Sequence, residues 1–258
     1  MHIETLGSGP SLVLLHGWAL HGGVFAPLVQ RLSDRYTLHL VDLPGHGFSR
    51  DSEVPLTLDA TVTAILARTP PAAWLAWSLG GLFALHAAAS SSQVRGLAMI
   101  AATPRFVRDG DWPHAVEGRV FAQFGDDLRN DYAGTLERFL ALDTMGSEHA
   151  RSELRTLKHD LYARGEPAPG ALQQGLHLLE QSDLRATLPA LSVPTLWLAG
   201  RRDLLVPTKA MQASAAVTPQ ATFVEIAGGG HAPFLGHADR VAADVDRFMQ
   251  ALPLGATA

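Results

Sequence analysis

A serine, an aspartate and a histidine stand out because each follows an apolar run and sits among small or turn-forming residues. Ser78 lies in Trp74-Leu75-Ala76-Trp77-Ser78-Leu79-Gly80-Gly81-Leu82-Phe83-Ala84-Leu85, Asp203 in Gly200-Arg201-Arg202-Asp203-Leu204-Leu205-Val206-Pro207, and His231 in Gly228-Gly229-Gly230-His231-Ala232-Pro233-Phe234. A serine hydroxyl is a weak nucleophile at neutral pH. It becomes effective when a base lies within hydrogen-bond reach and a third group orients that base. Ser78 as nucleophile, His231 as base and Asp203 as orienting acid would support attack on a carbonyl carbon through an acyl-enzyme. The tetrahedral intermediate would need two donors for its oxyanion. The N–H of Leu79 is one, and that of Trp18, in the turn His16-Gly17-Trp18, is the second, with the Trp18 side chain walling the acyl pocket.

For this chemistry the three side chains must leave the same edge of a sheet. The apolar runs at 11–15, 37–41, 73–77, 96–101, 195–199 and 222–226 read as strands covered on both faces, which favours a parallel sheet. Helical patterns alternate with them at 24–32, 58–67, 79–89, 207–217 and 238–252. The fold class expected is α/β: a mostly parallel twisted sheet with helices on both faces. Ser78, Asp203 and His231 then all follow carboxyl ends of strands, where open sheets of this kind bind ligands. At Ser78 the pattern is strand, sharp turn, helix. Such a turn needs small residues two before and two after the serine, here Ala76 and Gly80; the common form has glycine at both positions.

The alternation breaks over residues 106–185, which read as helices at 113–124, 130–142, 148–164 and 169–181. This is too long for a connecting loop. It is expected to form a helical cap over the strand ends, leaving 1–105 and 186–258 as the core. The tail Leu254 to Ala258 is expected to fray.

Other residues in the same neighbourhoods read differently. Among twelve histidines, His237 offers an alternative base but lies nearer the next helix start, and His16 reads as structural, bonded to loop backbone. Asp42-Leu43-Pro44-Gly45-His46-Gly47-Phe48-Ser49 reads as a loop shaping the rim of the site, rather than as a source of direct chemistry from His46 or Ser49. No His and carboxylate spacing along the chain suggests a metal. There is no cysteine, which excludes disulfides and thiolate chemistry, and a net charge of −5 gives no reason to expect nucleic acid. The N-terminus lacks a basic region followed by an apolar core, and there is no membrane-length apolar run. A soluble, monomeric cytoplasmic protein without a cofactor is expected.

The segments LLHGWALHGGVF, LVDLPGHGFS, WLAWSLGGLFAL, GRRDLLVP and GGGHAPFLGH resemble, in order and spacing, the α/β-hydrolase superfamily, in which the triad runs nucleophile, acid, base. More narrowly, the HGW turn, the WSLGG elbow, the HAPF-x-x-H loop and the cap segment LERFLALDTMG resemble the methyl ester carboxylesterases that act on pimeloyl-[acyl-carrier protein] in biotin synthesis. The resemblance implies a serine triad at Ser78, Asp203 and His231. It also implies an ester held against Trp18, Leu79 and His231, and an acyl chain running past Phe139, Leu140, Ala141, Leu142 and Asp143. Ala76 departs from the elbow glycine usual in that family. An acyl carrier protein is acidic, so its receptor needs local positive charge. Arg151, Arg155 and Lys158 fall on one face of an expected helix, with Arg138 on the preceding one. A general short-chain carboxylesterase, a carbon–carbon bond hydrolase and a non-catalytic binding protein on the same fold are the rival readings.

Overall fold

The computed structural model describes residues 1–253; the expected fraying of Leu254 to Ala258 lies outside the described residues. The strands are β1 Ile3–Gly7, β2 Ser11–Leu15, β3 Thr37–Val41, β4 Ala72–Trp77, β5 Val94–Ile100, β6 Thr195–Gly200 and β7 Ala221–Ile226. They form one sheet in the order β1-β3-β2-β4-β5-β6-β7. Every neighbouring pair from β3 to β7 is parallel, and β1 alone runs antiparallel, against β3. Leu12 to Leu15 and all of β4 and β6 are buried, which explains why these strands read as continuous apolar runs rather than alternating ones. The helices α1 Ala26–Leu32, α2 Leu58–Leu66 and α3 Gly80–Ser90 follow β2, β3 and β4. α1 packs against the C-terminal helix Ala238–Ala251, and α2 against α3.

Strand β1 has no counterpart among the apolar runs read from the sequence. Its residues are half-buried or exposed, so an edge strand held by backbone pairing left no hydrophobic signal.

Between β5 and β6 lie α4 Arg119–Asn130, α5 Tyr132–Thr144, α6 Ala150–Ala163 and α7 Pro169–Gln181. The first begins later than its expected start at Pro113. The preceding residues make a short turn instead, with bridges Val107 to Val116 and Asp109 to Trp112, and the Gly110 N–H donates to Asp109 Oδ1 at 2.7 Å. α4 packs on α5 and α7, and α5 on α6. Backbone acceptors tie this layer to the sheet's loops. Trp18 Nε1–H donates to the Leu172 carbonyl at 2.8 Å, His21 Nε2–H to that of Asp160 at 2.6 Å, and Ala168 N–H to that of Gly45 at 2.7 Å. The chain closes with α8 Thr208–Val217, α9 Pro233–Gly236 and α10 Ala238–Ala251. Among the described residues no helix is long and apolar enough to cross a membrane.

Candidate active site

Ser78 sits one residue beyond β4 with φ at +53°, a conformation that a non-glycine residue adopts only under constraint. The constraint is visible on both sides. Ser78 N–H donates to the Ile100 carbonyl at 3.1 Å, and the Gly81 N–H bonds back to the Ser78 carbonyl at 2.9 Å. Helix α3 then starts so close to β2 that a methyl on Gly80 would stand 2.6 Å from the Leu15 carbonyl oxygen. Crowding at this elbow therefore falls on Gly80, two residues after the serine. Ala76, two before it, is fully buried in β4 in regular register with Leu15 and Met99.

The hydroxyl of Ser78 donates to His231 Nε2 at 2.8 Å, and His231 Nδ1–H donates to Asp203 Oδ2 at 2.8 Å. Because the carboxylate can only accept, the bond to Asp203 fixes the tautomer and leaves Nε2 free to take a proton. The other Asp203 oxygen accepts the N–H groups of Leu205 and Val206 at 2.8 and 2.9 Å, which holds the carboxylate aimed. The His231 backbone is held as well: its carbonyl accepts Trp77 Nε1–H at 2.8 Å and its N–H donates to the Asp143 carbonyl at 3.2 Å. Ser78, Asp203 and His231 are at most 5% exposed. Burial opposes charge on His231, but attraction to Asp203 and the hydrogen bond with it raise its pKa above the ordinary value.

The turn expected to complete an oxyanion site lies alongside. Gly17 is so near the nucleophile that a methyl on it would stand 3.2 Å from Ser78 Cβ. Among the described residues the backbone N–H groups of Trp18 and Leu79 engage no acceptor. The Trp18 ring is buried and stands edge to face with Phe139 of α5 at 4.5 Å, and Phe124 of α4 stacks behind at 5.5 Å from Phe139. The segment expected along the acyl chain is helical, so its five residues divide between faces. Phe139, Leu140 and Asp143 are buried, whereas Ala141 and Leu142 are half-buried and flank that face. Ala141 sits away from the line joining Phe139 and Asp143. Met145, the residue that follows α5, is 51% exposed.

His16 has the structural role read for it. Leu43 N–H donates to its Nε2 at 2.9 Å, so Nδ1–H donates to the Gly17 carbonyl at 2.7 Å, and burial lowers its pKa well below the ordinary value. His46 is buried against its own loop, with Nδ1–H on the Pro44 carbonyl at 3.0 Å and a pKa lowered by burial to about 4. Ser49 Oγ–H donates to the Asp42 carbonyl at 2.6 Å. His237 does not reach Ser78 and stands by Glu148 and His149. Sequence reasoning missed the clasp of Asp42, which accepts from Gly22 N–H at 2.7 Å and Phe48 N–H at 2.9 Å and pairs with Arg164 at 3.3 Å. Its members come from three segments distant along the chain.

Of the expected carrier-facing cations, Arg151 and Arg155 on α6 are exposed and make no ion pair among the described residues. Lys158 pairs with Glu137 at 2.8 Å, and Arg138 with Asp131 at 3.0 Å and Asp127 at 3.3 Å.

A mostly parallel sheet carrying a strained serine after β4, an aspartate after β6 and a histidine after β7 defines a hydrolase of the alpha/beta fold, and the family described as alpha/beta hydrolase fold matches residues 10–238. The chain belongs to that family and, within it, to the pimeloyl-[acyl-carrier protein] methyl ester esterases. The esterase so named from Xanthomonas axonopodis pv. citri is 68% identical over 253 residues, covering 98% of this chain and 100% of the relative. The one from Stenotrophomonas maltophilia is 66% identical over 252 residues, covering 98% and 97%. Among solved structures, an esterase from Exiguobacterium antarcticum superposes with a TM-score of 0.87 at 22% identity, covering 97% of this chain and 95% of that one, which shows the shared fold.

Proposed function

We propose that the protein hydrolyses the methyl ester of pimeloyl-[acyl-carrier protein], releasing methanol and a free carboxylate within biotin synthesis. The observation that carries the esterase reading is the unbroken chain of hydrogen bonds from Ser78 through His231 to Asp203. The substrate is supported by relatives of that name at 66–68% identity over nearly the whole chain.

Ser78 Oγ attacks the ester carbonyl carbon while His231 Nε2 takes its proton. The oxyanion forms against the N–H groups of Leu79 and Trp18, each worth roughly 3 kcal/mol of barrier. As the tetrahedral adduct collapses, the C–O bond to methoxide breaks and His231 returns the proton, giving methanol and an acyl-Ser78 ester. Water, deprotonated by His231, repeats the attack and frees Ser78. Asp203 stabilises the imidazolium at each stage without being protonated itself.

In this reading residues 106–185 are a cap on a core of 1–105 and 186–258, and Trp18, Phe139, Leu140 and Asp143 bound the acyl chain. An acidic carrier protein docks transiently on the cap. Arg151 and Arg155 are its leading contacts because their charge is not already spent, with Arg138 and Lys158 released from their acidic partners as it approaches. The enzyme acts as a cytoplasmic monomer and its chemistry calls for no cofactor. The rates on carrier-linked methyl pimelate and on p-nitrophenyl esters of graded length test the reading. A preference for the carrier-linked ester supports it, and faster turnover of short free esters would favour a general carboxylesterase.

A further inference from the structure

Three potential metal ligands meet where the segment entering α6 crosses the segment entering α10. Glu148 and His149 come from the first and His237 from the second, and one ligand atom of each lies within 4.8 Å of the others. Glu148 Oε1 is 3.6 Å from His237 Nε2 and 3.7 Å from His149 Nε2, and the two imidazoles stand edge to face at 5.1 Å. Donors held at about 2.1 Å around a tetrahedral ion are themselves about 3.4 Å apart. Each imidazole Nε2 is therefore within a few tenths of an ångström of the spacing to Glu148 Oε1 that one shared ion requires, and the three ligand atoms all lie within 4.8 Å of one another.

The backbone around them is fixed. Glu148 N–H donates to the Gly228 carbonyl at 3.1 Å, and His237 N–H to that of Pro233 at 2.9 Å. A side chain on Gly228 would run into the Glu148 carboxylate, so the loop leaves room for that group to lie across it. Two polar atoms here lack a hydrogen-bond partner: His237 Nε2, and Oε2 of Glu153, a residue only 2% exposed. The other Glu153 oxygen accepts the Ser147 hydroxyl at 2.8 Å, and Ser147 Oγ in turn accepts the His149 N–H at 3.1 Å. Buried polar atoms are partnered as a rule, and two orphans beside a His-His-Glu cluster point to a ligand from outside the chain. A cleft of about 640 Å³ lined by Glu148, His237, Arg201 and Arg240 gives access. The charges of those arginines are engaged by Glu225 at 3.7 Å and Asp244 at 2.7 Å.

We infer that Glu148, His149 and His237 bind one divalent transition-metal ion of the zinc class. Two imidazoles and a carboxylate suit zinc far better than magnesium or calcium, which prefer all-oxygen sites. Glu148 and His149 belong to the helical insertion and His237 to the core. The ion would therefore link the two, with the Glu148 backbone resting on the glycine loop that carries His231.

Tag-free protein stripped with a chelator is titrated with zinc chloride, and separately with magnesium chloride, by calorimetry and thermal unfolding at about pH 7.5. One zinc ion per chain, a rise of several degrees in Tm at saturating zinc and no response to magnesium are expected. His149→Gln and Glu148→Gln alter exposed side chains and leave the fold intact; each should weaken zinc binding by about tenfold or more and abolish the Tm shift. Absence of zinc binding by the unaltered protein would overturn the inference. Equal zinc affinity in a His149→Gln/His237→Gln double variant that unfolds cooperatively would also overturn it, because the ion would then sit on other surface histidines.

Discussion

The backbone carbonyl of Asp143, in the last turn of α5, accepts the N–H of His231 at 3.2 Å, so the inserted helices hold the backbone of the base directly. The Asp143 carboxyl is fully buried, and neither of its oxygens has a partner. Burial raises its pKa to about 8, with Asp203 adding to the rise and His231 opposing it. At neutral pH it is thus a neutral acid beside Asp203. A folded-state pKa above the unfolded value means that the stability it confers is complete below the ordinary carboxyl pKa of 3.8 and is lost as pH rises towards about 8. Asp143→Asn keeps the shape and removes the titration. Thermal melts should show the variant gaining on the parent between mildly acidic and neutral pH, by on the order of 3 kcal/mol. Parallel pH profiles for the two proteins would mean the carboxyl is not buried as a neutral acid.

The elbow makes a paired prediction. Gly80→Ala sets a methyl 2.6 Å from the Leu15 carbonyl oxygen and 2.8 Å from that of His16, and so pushes the nucleophile away from the oxyanion turn. A displacement of about 1 Å can cost on the order of a hundredfold in turnover. Ala76→Gly removes a methyl that already fits within the strand, so kcat should stay within about threefold while stability falls by roughly 0.5–1 kcal/mol. Steady-state kinetics and denaturant unfolding of both variants check this, and a large rise in kcat for Ala76→Gly would show that the alanine does impair the turn.

Arg151 and Arg155 are exposed cations without ion-pair partners among the described residues, on the helix next to α5. Reversing both to glutamate should raise KM for the carrier-linked ester about tenfold or more, with kcat nearly unchanged, and leave small esters unaffected. The effect should shrink as salt is added. Equal losses on both substrate types would place the damage in the fold rather than in docking.

Much of the site could be read from the sequence because it depends on local chemistry. Apolar runs ending at Ser78, Asp203 and His231 mark strand ends, and a parallel sheet brings strand ends together whatever the distance along the chain. What stayed hidden depends on contacts between distant segments. Strand β1 is held by backbone pairing at an edge and carries no apolar run. The Asp42 clasp draws on Gly22, Phe48 and Arg164. Glu148 and His149 gain His237 only because the segments entering α6 and α10 come together, so no spacing along the chain could reveal them. Within the run from Phe139 to Asp143 the helical period buries Phe139, Leu140 and Asp143 and leaves Ala141 and Leu142 half-buried, a difference that the order of residues alone does not display.

The central claim is that Ser78 carries the pimeloyl chain as an ester between two proton transfers at His231. It is tested most directly by mixing the protein with carrier-linked methyl pimelate and measuring methanol release and free carboxylate together, for the parent chain and for Ser78→Ala. The parent should release both products in equal amount, and the alanine variant should be slower by about a thousandfold or more while unfolding at a similar temperature. Methanol release by the alanine variant at the parent rate would contradict the assignment of Ser78 as the nucleophile.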